Sequence, residues 1–322
     1  MRFRIVLILS LFYKIGYSQF LDINTIKLDS ISKAQTDQKW IQSNMVRLDF
    51  SEVAFVNWNA GGTNSISALL NVFSSIKYNQ NNLAWLTSVR ARYGINDQEN
   101  QQLRKTEDEI ELNSTLGFRE NNITNWYYSA RFNFKTQFSN GYNYPDRDNA
   151  ISKFMAPGYL FFGGGAEYGK NLEQLSLYLS PLTFKSTFVL DEDLANAGAF
   201  GVTAAVIDEN GNIIERGKRV RTEMGILVTN SYQTKLFENI ALTNRLSLYT
   251  DYLNSFGNID IDWEVILDFR VNSFVKATFG THIRYDNDVK ILEETEIEDE
   301  FIEKGARVQL KQFLGIGVEV KF

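Results

Sequence analysis

The chain has no cysteine, only three prolines and a single histidine in 322 residues. Without cysteine it forms no disulfide, no thiol nucleophile and no lipidated N-terminus. One histidine excludes multi-histidine metal centres and narrows the room for histidine-based catalysis. No segment approaches the roughly 18 consecutive apolar residues that a membrane helix requires. Basic clusters are also missing. With 33 Lys and Arg against 39 Asp and Glu the net charge is −6, which argues against a nucleic-acid partner.

What is present is alternation. Leu314, Ile316, Val318, Val320 and Phe322 are apolar and are separated by Gly315, Gly317, Glu319 and Lys321. Such a half-polar strand ending on an aromatic residue fits the closing strand of a transmembrane barrel, with one face to lipid and one to the lumen. It is similar to the C-terminal signal by which outer-membrane barrels reach their assembly machinery, so Leu314–Phe322 is the expected contact for that machinery. At the other end, Arg2 and Arg4 precede the apolar run Ile5–Tyr13, and Gly16-Tyr17-Ser18 offers a small-x-small cleavage site. This predicts a secretory signal peptide over residues 1–18. Its removal takes away Arg2, Arg4 and Lys14 and moves the net charge to −9. The mean hydropathy of −0.25 does not contradict a membrane protein, because a barrel spreads its apolar face through alternation.

Period-two reading predicts about twelve strands, several near 12 residues long where soluble sheets average about 5–6. The run Ile259–Val271 sets Ile259, Ile261, Trp263, Val265, Leu267, Phe269 and Val271 against Asp260, Asp262, Glu264, Ile266, Asp268 and Arg270. Val275–Asp286 and Trp126–Phe138 behave alike, and the remaining strands are expected near 45–55, 65–78, 83–93, 109–119, 158–168, 175–189, 220–232, 240–252 and 307–322. Pro181 predicts a break or bulge in its strand. Connections alternate. Short turns fall near 79–82, 120–125, 169–174, 233–239 and 272–273, and long loops near 94–108, 139–157, 190–219 and 287–306. Sorting loops by side is a barrel property. Closure is required because hydrocarbon offers no partner to an open sheet edge. The expected fold is therefore an all-β, membrane-spanning antiparallel β-barrel over 45–322, preceded by a periplasmic segment over 19–44. The expected location is the bacterial outer membrane, with outer-membrane lipid as the surrounding partner.

The same alternation assigns faces. Tyr78, Trp85, Trp126, Tyr168, Tyr232 and Phe322 are expected in one interfacial girdle, and Tyr93, Phe138, Tyr252 and Tyr285 in the other. The lumen is expected to hold a charge ladder: Asp260, Asp262, Glu264, Asp268 and Arg270 facing Lys276, His282 and Arg284, with Arg221, Glu223 and Arg245 on neighbouring strands. Arg90, Arg92, Glu109, Glu111, Arg131, Lys135, Asp251, Glu319 and Lys321 read as inward too. Both signs in a lumen set selectivity for small polar solutes; equally, opposite charges on neighbouring strands pair and fill the interior. Twelve strands lie between the filled eight-stranded barrel and the open sixteen-stranded porin. The acidic stripe reads as a salt-bridge ladder rather than a metal-binding constriction. His282, with Ser247 two strands away, reads as a lumen hydrogen-bonding residue, because a lipid hydrolase would need its serine outward. Gly163-Gly164-Gly165 lacks the lysine of a phosphate loop and predicts a bulge or close approach. Asp208–Gly211 predicts the turn of a small external hairpin. The six carboxylates of Ile291–Glu300 read as a solvated run, with divalent ions or lipopolysaccharide as the alternative partner. Asn57–Gly62, with Trp58, reads as an external turn.

Six segments carry a resemblance: Asn57–Ser65 (NWNAGGTNS), Lys105–Ser114 (KTEDEIELNS), Phe134–Pro145 (FKTQFSNGYNYP), Leu179–Lys185 (LSPLTFK), Asp193–Val202 (DLANAGAFGV) and Ile259–Val265 (IDIDWEV). Together they resemble an uncharacterised family of outer-membrane β-barrels from Bacteroidota, catalogued as a domain of unknown function. The resemblance implies location and fold, and carries no catalytic set. The expected activity is a passive pore or narrow transporter for small polar solutes, without enzyme activity or cofactor. The alternative is a non-conducting barrel acting through its external loops or N-terminal segment.

Overall fold

A computed structural model describes residues 40–55, 63–121, 123–169, 174–253, 256–287, 290–294 and 301–322, with backbone alone for 290–294 and 301–304. The signal peptide, most of the N-terminal segment, the turn at Asn57–Gly62 and most of the acidic run lie outside these residues. The described chain closes into one antiparallel barrel. Its twelve strands are β1 (Trp40–Val53), β2 (Ser65–Gln80), β3 (Leu83–Gln98), β4 (Arg104–Phe118), β5 (Trp126–Thr136) and β6 (Gly158–Tyr168), then β7 (Leu175–Phe188), β8 (Val220–Phe237), β9 (Ile240–Asp251), β10 (Asp260–Arg270), β11 (Val275–Tyr285) and β12 (Gln309–Lys321). Each pairs with its neighbour in sequence, and β1 closes on β12 through the register Met45↔Lys321 to Phe50↔Ile316. The strand number agrees with the periodicity.

Boundaries differ from the expectation in three places, one being the end of β8, which runs to Phe237 through most of the turn expected at 233–239. The first strand begins at Trp40, so the last five residues of the segment read as periplasmic belong to the wall. Gln42, Ser43 and Asn44 hide the alternation there, but Trp40 anchors the strand by packing on Tyr78 and Trp85, with ring centroids 4.7 and 5.9 Å away. The loop expected over Gly94–Asp108 shrinks to residues 99–103, because β3 and β4 keep pairing past the apolar zone as far as Asn96↔Arg104. Polar side chains support that extension, with Asn96 Nδ2 donating to Ser67 Oγ at 2.8 Å.

Burial is inverted relative to a soluble protein. Leu48, Val72, Val89, Phe162, Leu314 and Ile316 are exposed on the outside, whereas Arg47, Glu109, Glu167, Lys185, Glu223 and Glu319 are buried inside. A wall whose outer face is apolar and whose inner face is charged is stable only with hydrocarbon outside it, and closure pairs the backbone that hydrocarbon would leave unsatisfied. The chain is a membrane-spanning barrel. Short turns gather at the end that holds both Trp40 and Phe322 (the turn end), and the loops 137–157 and 189–219 lie at the other (the loop end).

Pro181 sits at a bulge in β7. The ladder to β6 shifts between Gly164 and Ala166 opposite Leu182 and Leu179, and that to β8 shifts between Gly225 and Leu227 opposite Thr183 and Ser180. Proline donates no backbone hydrogen bond, and the extra residue bends the strand. Ser180 Oγ fills the gap, 2.9 Å from Gly164 O and 3.0 Å from Leu182 O. Gly165 is required beside it, since a Cβ would lie 2.1 Å from Leu179 O. Gly165→Ala is accordingly expected to cost about 1–3 kcal/mol through forced backbone movement, read as a lower urea midpoint of the refolded barrel.

The loop between β7 and β8 is folded. Asp191 caps the helical turn Glu192–Asn196 by accepting from Leu194 N at 3.1 Å, and it pairs with Lys153 Nζ of the preceding loop at 2.6 Å. Ala156, Val189, Ala195 and Val202 bury together beneath Leu194 and Phe200. Gly201 O accepts from Arg221 Nη1 at 3.3 Å, which draws the loop over the rim towards the inner face of β8. Val206–Ile207 and Ile213–Glu215 form the small external hairpin around Asp208–Gly211. The Lys153 hydrogen bond holds the Asp191 carboxyl below the ordinary carboxylate range. A lowered folded value means that this link is fully present above the aspartate range and is lost as pH falls through it. Asp191→Ala should cost about 1 kcal/mol of loop stability through the lost cap. The expected readout is faster amide exchange over 192–202 with the wall unchanged.

Candidate functional site

Inward positions follow from strand register, since residues opposite one another share a face. On β10, Asp260, Asp262, Glu264, Asp268 and Arg270 lie opposite the inward residues of β9 and β11; Glu264, for example, pairs in register with Arg245 and His282. Lys276, His282 and Arg284 of β11, Arg221 and Glu223 of β8, and Arg245 of β9 all face the lumen. Arg270 stands exposed at the turn end.

The ion pairs reach further than neighbouring strands. Glu264 accepts from Arg245 at 2.8 Å and from Arg92 Nη1 at 3.2 Å. Arg92 lies on β3, with four strands between it and β10 on the shorter way round, so this bond crosses the lumen. Arg92 also donates to Glu109 at 2.7 Å, and Lys135 Nζ reaches Glu109 at 2.6 Å. Arg90 and Glu111 are 3.7 Å apart beside them. At the height of this belt side chains from opposite walls meet across the lumen.

The remaining acids of β10 each take a different partner. Asp262 meets His282 Nε2 at 2.8 Å and Arg284 Nε at 3.5 Å. Asp260 accepts from Lys185 of β7 at 2.9 Å, and Lys185 lies 3.5 Å from Glu223. Asp268 accepts from Arg47 of β1 at 2.9 Å and from Thr278 Oγ1 at 2.6 Å. Lys276 pairs with Glu319 of β12 at 2.5 Å. The expected β10–β11 ladder is therefore realised only at Asp262, and its other members are shared around the barrel. Buried ions need such partners, because desolvation exceeds what one exposed pair returns.

A second interior cluster lies beneath the bulge. Arg131 stacks on the Tyr178 ring, 4.2 Å to its centroid, contacts Glu167 and donates to Ser176 Oγ and Thr229 Oγ1 at 2.6 Å each. Tyr178, Leu227 and Tyr249 form a small apolar core with Phe161.

Towards the loop end the filling opens. A cavity of about 320 Å³ is lined by Glu107, Glu109, Lys135, Gln137, Tyr159, His282, Arg284 and Lys311 among others. Lys311 of β12 and Glu107 of β4 meet at 2.6 Å across it. No set of three or more His, Asp or Glu side chains is placed to hold a metal among the described residues. Serine 247 shares the inner face with His282, whose ring is engaged by Asp262.

The girdle residues all lie on the outer face. Trp40, Tyr78 and Trp85 cluster at the turn end, and Trp126 and Tyr168 meet there with tilted rings, centroids 5.1 Å apart. Tyr232 and Phe322 are exposed at the same end. Tyr93 meets Phe138 at 6.4 Å and Tyr252 stacks on Phe256 at 6.0 Å towards the loop end, where Tyr285 closes β11.

Several lumen residues escaped the sequence reading: Arg47, Asp49, Glu107, Glu167, Lys185 and Lys311. Lys185 and Glu167 flank the bulge and the triple glycine, where alternation is broken. Asp49 and Arg47 stand at i, i+2 on β1 and bond at 2.8 Å, a spacing that the polar start of that strand obscured. Glu107 and Lys311 lay in expected loop or strand-edge positions.

Residues 50–142 match the family described as "Protein of unknown function (DUF3078)". No protein of curated function matches the sequence. Among solved structures the chain is similar to the translocator domain of the autotransporter NalP from Neisseria meningitidis, with 10% identity, 91% of this chain and 92% of that one covered, and a TM-score of 0.36. It is also similar to an outer membrane channel from Pseudomonas putida F1, with 11% identity, coverage of 87% and 95%, and a TM-score of 0.40. The NanC porin aligns at 8% identity, covering 85% and 98%, with a TM-score of 0.35. The match over 50–142 takes in Asn57–Ser65, Lys105–Ser114 and most of Phe134–Pro145, so the likeness to this family of unknown function covers the first strands of the twelve-stranded barrel.

Proposed function

We propose that this chain is a bacterial outer-membrane barrel offering a narrow pathway to small polar solutes, closed at mid-height by the Arg92–Glu264–Arg245 bridge. The observation that carries the reading is the cross-lumen bond itself: one guanidinium, 3.2 Å from a carboxylate on the far wall, stands between the loop-end cavity and the turn end. Paired charges of both signs favour small polar or zwitterionic solutes over apolar ones. The outer-membrane location is supported by the signal-peptide pattern over 1–18 and by the closing strand Leu314–Phe322, which we assign as the segment read by the assembly machinery. External loops are the natural contact for lipopolysaccharide or divalent ions. No enzyme activity is proposed, since the one histidine is committed to Asp262.

The competing reading is a non-conducting barrel that acts through its loops. The folded 189–219 loop, drawn inward by Arg221, favours it. Single-channel recording of the refolded chain Gln19–Phe322 in planar bilayers separates the two. Wild type should stay closed apart from brief openings of small conductance. Arg92→Ala should raise it severalfold and shift preference towards cations, because Glu107 and Glu109 then line the opened path. Electrical silence in both, with heat-modifiable gel migration proving the fold, would overturn the pathway and leave the loop-acting barrel.

A further inference from the structure

Among the described residues the outer wall carries a recess. Two adjacent rungs of the barrel place small residues side by side. In the first, Trp85, Leu116, Ala130, Gly164 and Leu182 follow one another around β3 to β7. In the second, Leu83, Phe118, Tyr128, Ala166 and Leu179 do. Ala130, Gly164 and Ala166 form a floor, and Leu116, Tyr128, Leu179 and Pro181 border it, leaving a shallow, outward-open depression of about 730 Å³ lined by apolar atoms. Ligand sites commonly span roughly 300–1,000 Å³. Pro181, at the bulge of β7, borders the recess. Nothing lies within 4 Å of where a Cβ on Gly164 would stand, so the floor is open to the outside.

Its position identifies what fills it. The recess begins beside the turn-end girdle pair Trp126–Tyr168 and ends below the rung that carries Phe132, Phe162 and Phe184, so it lies within one leaflet. It is continuous with the membrane face, whose solvent is acyl chain. A second barrel offers only a convex wall, which meets the projecting Tyr128 ring (73% exposed) before it reaches the floor. A single flexible hydrocarbon chain has the width to enter. We propose that this recess binds one acyl chain of a phospholipid from the turn-side leaflet, as a resident lipid distinct from the exchanging annulus. The proposal rests on the membrane-spanning reading.

The test is native mass spectrometry of the full mature barrel, reconstituted in vesicles of phosphatidylethanolamine and phosphatidylglycerol and released in mild detergent. Wild type is expected to retain one phospholipid. Gly164→Leu, which projects into open space, should abolish retention while leaving heat-modifiable migration intact, and Ala166→Leu serves should that variant misfold. Equal retention in wild type and variants, or none in wild type, would overturn the site. So would a wild-type dimer that the variants dissociate, which would assign the recess to a second copy. A chain that folds in buffer without lipid or detergent would instead overturn the membrane reading itself.

Discussion

Glu264→Ala is expected to lower the unfolding free energy of the barrel by about 3–5 kcal/mol, the usual cost of removing one partner from a buried ion pair. Glu264 is nearly inaccessible and holds two guanidiniums from opposite walls, Arg92 at 3.2 Å and Arg245 at 2.8 Å. Truncation leaves Arg245 without its carboxylate and Arg92 with Glu109 and Glu107 on its own side alone. The measurement is a urea midpoint from tryptophan fluorescence in vesicles, with an unchanged slope to show that the exposed area is the same. Arg284→Ala is the control. Its pair with Asp262 is 3.5 Å long and each side chain is more than 40% exposed, so its loss should cost under about 1 kcal/mol. Equal costs for the two variants would mean that water reaches the belt as freely as it reaches the loop-end cavity, and the bridge would not be a closure.

Val89→Arg is the second large effect, about 2–4 kcal/mol. Val89 faces outward midway between Trp85 and Tyr93 on one strand, so the two girdles place it near the bilayer centre. Leu83→Arg, one rung beyond Trp85, should cost only about 0–1 kcal/mol because an arginine there reaches the headgroups. Unfolding titrations of both variants in vesicles test the membrane frame independently of any transport assay. Similar costs at the two depths would refute it.

Sequence periodicity carried the architecture because a barrel writes one rule on every strand. Ile261 to Phe269 and Val275 to Tyr285 declare their outer faces by alternation alone, and the strand number followed from turns that break it. The rule fails where another residue takes its place. Gly163–Gly165 contributes no side chain, and Pro181 adds a residue that shifts the phase, so Lys185 and Glu167 could not be placed. Trp40 was legible as an aromatic but not as a strand start, because Gln42 and Asn44 sit on the outer face below the apolar zone. Partnership was harder than orientation. Adjacent strands are implied by order along the chain, whereas Arg92 reaching Glu264, Arg47 reaching Asp268 and Lys185 reaching Asp260 depend on the radius and tilt of the closed wall, which no local pattern encodes.

The closing register has a kinetic consequence. The β1–β2 ladder runs the whole length of β1, from Trp40 to Val53, while the seam to the C-terminal strand spans only Asn44, which exchanges both backbone bonds with Phe322, to Phe50. Every other pairing joins segments that follow one another along the chain, but this seam waits for both chain ends to meet, and such distant pairings form slowly. The seam is thus the last zipper tooth to engage during insertion and, being short, the first to part under load. A barrel built this way passes through an open, C-shaped sheet whose two free edges are strands β1 and β12.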